Sequence, residues 1–462
     1  MSWFGNLVER VFGWRPSRAP VETVRLETRA DIAEIASPAA APVAEDASTG
    51  TLGFRTSATD RLDPRRLGPF SRARLNLRDA YTPSQPISDQ RRLAGRSEML
   101  ETLIGAIEDR RLHAILFGER GIGKSSLLMV LAQLARSARY LTIYISCGAA
   151  TNFTEVFRAL AAEIPILYHG DFGPTSAQRE RGGSFADLLP DGDISPRMAS
   201  DILAKVTGTR ILVLLDEFDR VLDSAFRESV AGLIKDLSDR AVPTQLVIAG
   251  VATNLAELLE YIPSIQRNII ALQVPRMSPE EMSALIKSGE ASTGLQFDPS
   301  AIFSIAIAAN GFPFLASLLA QNAALAAIQS ERLTIDKGDA DAALRQALAE
   351  FKGRISSRSM TQIDLLTRER LDVMIGALAG ASLAAGGLFT AEDALRLPPN
   401  LVASNSDTIE HLATSGILIE VADADPPRTY RFREGGVAIY MWLMYVKGRL
   451  AVAKGSADAM AI

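Results

Sequence analysis

Apolar positions along this chain follow two rhythms. Between about residues 93 and 276, short continuous apolar runs alternate with stretches in which apolar residues return every three or four positions. The runs at 113–117, 140–146, 211–215, 245–249 and 269–274 predict buried strands. Helical spacing covers 97–108, 125–138, 152–162, 196–206 and 226–239; the second of these carries Leu127, Leu128, Val130, Leu131 and Leu134. Strands alternating with helices predict a parallel sheet covered on both faces. Residues 165–193, rich in Gly, Pro, Asp and Ser, interrupt the pattern as an irregular insertion. From 278 to about 351 the spacing is helical only, which predicts a separate small domain.

The ends read differently. In residues 1–15, Trp3, Phe4, Leu7, Val8, Val11 and Phe12 recur at helical spacing, so an amphipathic helix is expected there. It could dock on a membrane surface or a partner groove, or fold back on the body. Residues 16–84 turn to Ala, Pro, Ser, Thr and charge without periodicity, acidic first and arginine-rich later, and read as a disordered linker. After a linker near 353–360, helices are expected at 365–378, 390–397 and 406–414. Two short strands at 417–421 and 430–433 flank an Asp-Ala-Asp-Pro-Pro turn. A last helix at 437–446 carries Tyr440, Trp442 and Tyr445, and 451–462 is left as a tail.

Composition narrows the chemistry. The 462 residues suggest about three units at roughly 150 residues each. A formal charge of −5 provides no global basic field, so any nucleic-acid surface must be local. Cys147 is the lone cysteine, which excludes an intrachain disulfide framework, and His113, His169 and His411 are too scattered for a zinc cage. With no apolar run of membrane-spanning length and no secretory leader, the expectation is a cytoplasmic chain. Peripheral contact at the inner membrane surface would come through residues 1–14.

The strongest chemical signal is Gly118-Glu119-Arg120-Gly121-Ile122-Gly123-Lys124-Ser125, followed by Ser126, which fits G-x-x-x-x-G-K-[ST] in full. Glycines let the backbone take positive φ and approach phosphates closely. Successive N–H groups and the start of the following helix form a concave anion site. Lys124 would reach the β- and γ-phosphates, and the Ser125 hydroxyl would ligate Mg²⁺. A ligand-free glycine turn is the alternative, but the pattern sits between a buried strand and an amphipathic helix, as a P-loop must. A second signal is the apolar run ending in Asp216-Glu217. An acid at the carboxyl end of a strand faces the crevice where open α/β sheets bind ligands. Asp216 would hold the magnesium through water, and Glu217 would accept a proton from, or orient, the attacking water. Alternatively, the two acids cap the next helix. ATP and Mg²⁺ are therefore the expected ligands, and Mg²⁺-dependent ATP hydrolysis, weak or partner-activated, is the expected activity.

These pieces resemble the AAA+ ATPases and the related STAND signalling ATPases, in the branch that includes the origin-recognition initiators. The matching stretches are Leu93-Ala-Gly-Arg96, the P-loop, Asp216-Glu217-Phe218-Asp219, Gly250-Val-Ala-Thr253-Asn254-Leu255 and Ile265-Gln-Arg267, spread over about residues 85–350. The resemblance implies an α/β fold, a P-loop NTPase parallel sheet of order 5-1-4-3-2 over 85–276, and a helical lid over 277–352. It implies a polar sensor near the γ-phosphate at Thr253 or Asn254, where a turn or helix cap is the alternative. Arg267 would be an arginine that reaches a neighbour's nucleotide, or simply a surface arginine. Gly311-Phe-Pro313-Phe314 looks like the Gly-x-Pro motif of STAND proteins, which would set Pro313 against the base.

Three helices and a hairpin over 361–450 resemble a winged helix. In a DNA reader the third helix offers Arg, Lys, Asn or Gln to bases and phosphates. Here it offers Asn405, Asp407, Glu410 and His411, with no Arg or Lys between Leu397 and Pro427, although the wing carries Arg428, Arg431 and Arg433. A protein-contact role is therefore favoured over DNA. The functional expectation is a nucleotide-controlled switch or assembly factor working through protein partners or self-assembly. A DNA-binding ATPase related to replication initiators, or an ATP-binding scaffold without turnover, is the alternative.

Overall fold

Every residue of strand β3 (Ile211–Asp216) is buried, as are the first seven of β4 (Thr244–Val251). Strands covered on both faces read as continuous apolar runs and belong to parallel sheets. With β1 (His113–Gly118), β2 (Leu141–Ser146) and β5 (Ile269–Gln273) they form a five-stranded sheet in the order β2-β3-β4-β1-β5, parallel throughout. This is the expected 5-1-4-3-2 order. The computed structural model describes residues 68–170, 183–252, 263–368, 372–384, 387–390, 405–421 and 428–460. The expected docking helix at 1–15 lies outside them.

Helix α1 (Pro69–Ala80) precedes the sheet, and α2 (Ser97–Glu108), α3 (Lys124–Ser137), α4 (Phe153–Ala162), α5 (Pro196–Leu203) and α6 (Ser224–Asp239) flank it. Phe157, Phe185, Phe218 and Phe226 pack with Ile143, Val213 and Ile248 in one hydrophobic core cluster. His113, at the start of β1, is also buried: its Nδ1 accepts the Leu246 N–H at 3.0 Å, and burial lowers its pKa to about 4. The ring is neutral and structural.

Helix α1 corrects the expected linker over 16–84. Ala73, Leu77 and Tyr81 are buried, four residues apart on one face, while Arg72 and Arg78 lie exposed. A narrow apolar stripe among arginines leaves little periodic signal, yet it suffices to seat a helix on the helical region that follows the sheet.

The helical region expected to be the lid begins at a capping box, Ser278 with Glu281, and Pro279 at the first helical position. It comprises α7 (Pro279–Ser288), the short α8 (Glu290–Thr293), α9 (Pro299–Ala309), α10 (Pro313–Gln329) and α11 (Lys337–Lys352). The purely helical expectation is modified by a parallel pair of two-residue strands, β6 (Gln296–Phe297) and β7 (Thr334–Ile335). Helix α1 packs on α8 and α10, where Asn76 donates to the Ser292 carbonyl at 2.6 Å.

Beyond the lid come α12 (Ser357–Arg368), α13 (Asp372–Ala384), β8 (Leu388–Thr390), α14 (Asn405–Thr414), β9 (Leu418–Val421), β10 (Thr429–Phe432) and α15 (Gly435–Met460). The strands form an antiparallel sheet in the order β8-β10-β9. The single helix expected at 365–378 is replaced by α12 and α13. Thr390, expected to open a helix over 390–397, instead ends a strand; the remainder of that stretch lies outside the described residues. Helix α15 runs on to residue 460 through most of the expected tail, where alanines and a lysine favour continuation over termination. Its Trp442 donates Nε1–H to the Ala308 carbonyl of α9 at 3.0 Å, which ties this module to the lid. Among the described residues, no helix is long and apolar enough to cross a membrane.

Candidate nucleotide site

The carboxyl end of β1 runs into the glycine loop and then α3. Gly118 takes φ +146°, and a Cβ there would lie 2.9 Å from the Val274 carbonyl, so only glycine lets the loop leave the sheet beside the exit of β5. Gly123 caps α3 at φ +101° with no side chain bonded to the helix's first N–H groups. Those donors remain available to an anion.

Lys124 is buried, and its ammonium donates to the carbonyls of Gly118 and Glu119 at 2.8 and 2.7 Å. Burial lowers its pKa to about 8, against the pull of Asp219, Asp216 and Glu119. An ammonium has three donors; two are engaged, and it has no ion-pair partner among the described residues. A buried cation in that state fits an incoming anion.

Asp216 ends β3, also buried. Its Oδ2 accepts the Tyr144 hydroxyl at 2.7 Å and its Oδ1 accepts the Glu217 N–H at 2.8 Å. Burial and Asp216 raise the Tyr144 pKa, so the phenol stays a donor. Cys147, whose N–H donates to the Asp216 carbonyl, has its thiol pushed up to about 12 by burial and the nearby carboxylates. Glu217 adopts φ +55°, uncommon outside glycine, and makes no cap bond to the turn that follows. Its Oε2 accepts from Arg220 at 2.7 Å and from Ser146 at 3.2 Å. Asp223, not the acid pair, caps α6. The helix-cap alternative therefore fails for Asp216 and Glu217.

A cleft of about 530 Å³ opens between these elements. Arg120, Gly121, Gly123, Lys124, Ser125 and Ser126 line one part, Asp216, Glu217, Asp219 and Arg220 another, and Pro313, Phe314 and Ser317 the lid side. Three loop residues do not reach it: Gly118 and Ile122 are buried, and Glu119 turns away to pair with Arg276. Ser126 lines the cleft, but its Oγ also accepts the Ile87 N–H at 3.1 Å. Pro313 opens α10 beside Gly123. Arg267 lies exposed in the turn Pro263–Asn268, 3.7 Å from Asp239, and is not part of the cleft wall. Thr253 and Asn254 lie outside the described residues; the strand leading to them is fixed by the Val251 N–H, which donates to Asp219 at 2.7 Å.

Sequence reasoning missed the strap Thr82–Ile87, which closes one side of the cleft, along with Tyr144, Arg220 and Arg276. Strand alternation could have found Tyr144, since it shares a face with Ser146 at the strand's carboxyl end.

The parallel sheet, its glycine loop opening a helix, and an acid pair ending the strand two places away define a P-loop NTPase of the AAA+ and STAND type. The chain belongs to the Novel STAND NTPase 1 family, whose model matches residues 85–364. Similar solved structures include a Walker-type ATPase of Pyrococcus abyssi, at 19% identity over 78% of this chain and 98% of that one, TM-score 0.47. The Cdc6 protein of Pyrobaculum aerophilum gives 14% identity over 80% and 98%, TM-score 0.44. The Orc1 protein of Aeropyrum pernix, solved in complex with DNA, gives 15% identity over 80% and 95%, TM-score 0.41. Comparison with curated proteins gives no match.

Proposed function

We propose that this chain binds ATP with Mg²⁺ in the cleft and acts as a nucleotide-controlled switch or assembly factor through protein partners. The observation that carries the reading is the buried, incompletely bonded Lys124 ammonium in the same cleft as the buried Asp216 carboxylate. In this reading residues 85–276 carry the nucleotide, 277–352 form the lid, and 361–450 form a winged-helix-like output module. The free N–H groups opening α3 and the Lys124 ammonium bind the phosphates. Ser125 and Asp216 hold the metal, which would neutralise charge on the β- and γ-phosphates. Glu217 orients water, Asn254 senses the γ-phosphate, and Pro313 packs on the base. Arg267, exposed and outside its own cleft, reaches a neighbour's nucleotide, so turnover rises on assembly. Protein contact is favoured over DNA for the output module because the Arg428 guanidinium already pairs with Glu420 at 3.4 Å and Arg433 donates to the Gly416 carbonyl.

Lys124→Ala removes the phosphate-binding cation, and calorimetry with Mg-ATP should show most affinity lost; unchanged binding refutes the site. Glu217→Gln should bind ATP but turn it over at least about a hundred-fold more slowly; equal rates would remove Glu217 from catalysis. A pull-down comparing Glu217→Gln with Lys124→Ala should enrich partners on the ATP-locked variant, and identical sets would argue against a switch.

A further inference from the structure

Arg276 stands between β5 and the lid helix α7, and its guanidinium joins three parts of the molecule. Nε and Nη2 donate to the two carboxylate oxygens of Glu119 at 2.9 and 2.8 Å. Nη1 donates to the Asn310 carbonyl, at the end of α9, at 3.1 Å. The same planar group lies 4.3 Å over the Phe312 ring, in the turn that presents Pro313. Both members of the ion pair are only 18% exposed, so it is neither a solvated nor an incidental surface contact. The close fit continues along the backbone. Gly311, at φ +80°, comes so near that a Cβ would lie 2.8 Å from the Arg276 Cβ, and its carbonyl accepts the Met277 N–H at 3.0 Å.

Glu119 is an acid placed inside a loop built to receive anions. Its side chain turns out of the cleft, while its carbonyl faces inward and accepts the Lys124 ammonium at 2.7 Å. Burial pushes the Glu119 carboxyl up and the Arg276 guanidinium down, and each partner opposes the other's shift. Neither residue lines the cleft. A bidentate guanidinium–carboxylate pair fixes orientation as well as charge, which a lysine in the same place could not do.

We propose that Arg276 is a positioning residue that couples the phosphate loop to the lid: through Glu119 it sets the carbonyl that seats Lys124, and through Asn310 and Phe312 it sets the turn bearing Pro313. The proposal rests on the ATP-binding reading above and identifies how occupancy of the loop is passed to the lid. When phosphate draws the ammonium away from the Glu119 carbonyl, the loop and the lid turn are the two ends of one rigid fork.

The test uses the full chain in four forms: wild type, Arg276→Gln, Glu119→Gln and the double variant. Each is measured for Mg-ATP affinity by calorimetry and for ATP-induced hydrogen-exchange protection of α9 and α10. Wild type should gain lid protection with ATP. Each single variant should bind ATP about five- to fifty-fold more weakly and lose that protection, with the double variant no worse than either. Arg276→Gln with wild-type lid protection, or additive effects in the double variant, would overturn the proposal. Arg276→Lys guards against a folding defect: it keeps the charge but not the fork, and should bind ATP while lacking the lid response. A folded Arg276→Lys protein with the full lid response also overturns it. Failure of the wild type to bind ATP would instead strike the underlying site.

Discussion

Tyr144 of β2 donates its hydroxyl to Asp216 of the neighbouring β3 across 2.7 Å. The strands are parallel, with Ser146 opposite Asp216, so the phenol reaches forward along the sheet to the carboxylate. Together with the Glu217 N–H, it engages both oxygens of a buried acid and fixes how the remaining lone pairs face the cleft. Tyr144→Phe removes one bond to a charged group, worth about 1.5–3 kcal/mol. The concentration of Mg²⁺ needed for half-maximal ATP binding should rise several-fold, while ATP affinity in EDTA stays close to wild type. Titrations with and without metal check this; an equal loss in both would locate the defect in folding.

Lys124 gives a pH dependence with a definite sign. In the empty cleft, burial lowers its pKa to about 8. A triphosphate favours the charged ammonium and raises that value. Mg-ATP affinity should therefore be full below about pH 8 and decline as pH rises through it, with binding at about pH 9 taking up a proton. Calorimetry in two buffers of different ionisation enthalpy measures the uptake directly. The same shift acts oppositely on the empty protein: the folded state disfavours the charged form, so this group's contribution to stability improves from about pH 8 towards 10.5. An affinity flat across that range would show that Lys124 does not meet the phosphates.

What could be read in advance was local. The buried runs of β3 and β4 and the glycine loop declare themselves within a few residues, because burial on both faces and phosphate approach each restrict residue type strongly. Helix α1 stayed hidden because Ala73 and Leu77 are its only fully buried positions, set among arginines. At Thr390 and beyond residue 450 the sequence carries no distinct period, because a short strand and an alanine-favoured helix end leave none. The Glu119–Arg276 pair could not be seen at all, because 157 positions separate its members and either residue alone resembles surface charge.

The strap that closes the cleft is held at both ends. Tyr81 is buried, donates its hydroxyl to the Ile286 carbonyl of the lid, and meets Phe297 edge-on with ring centroids 6.1 Å apart. At the other end the Ile87 N–H donates to Ser126. Ser126→Ala should leave the fold intact and speed ATP release several-fold, as measured by stopped flow with a fluorescent analogue. Tyr81→Ala should do the same and also cost about 3–5 kcal/mol of stability, because it empties a large buried site. Unaltered release in both variants would mean that Thr82–Ile87 does not touch bound nucleotide.

Arg220 lies three residues beyond Glu217 and holds its carboxylate at 2.7 Å on the open side of the cleft. The side chains are 59% and 41% exposed, so the pair adds little to stability, about 0–1 kcal/mol. Its effect falls on the reaction. The oxygen that accepts from Arg220 is also the one nearest Ser146, and a water approaching Glu217 must compete with the guanidinium for it. A carboxylate held in this way points along the ion pair and offers the water one free oxygen instead of two. Arg220→Gln should therefore raise the rate of ATP turnover several-fold with KM changed by less than about three-fold, a kcat effect rather than a binding effect. Adding Glu217→Gln to it should abolish the gain, because the released group would no longer be a base. Steady-state kinetics of the four proteins separates the outcomes: a fall in kcat for Arg220→Gln alone would show that the arginine aligns Glu217 for catalysis instead of restraining it.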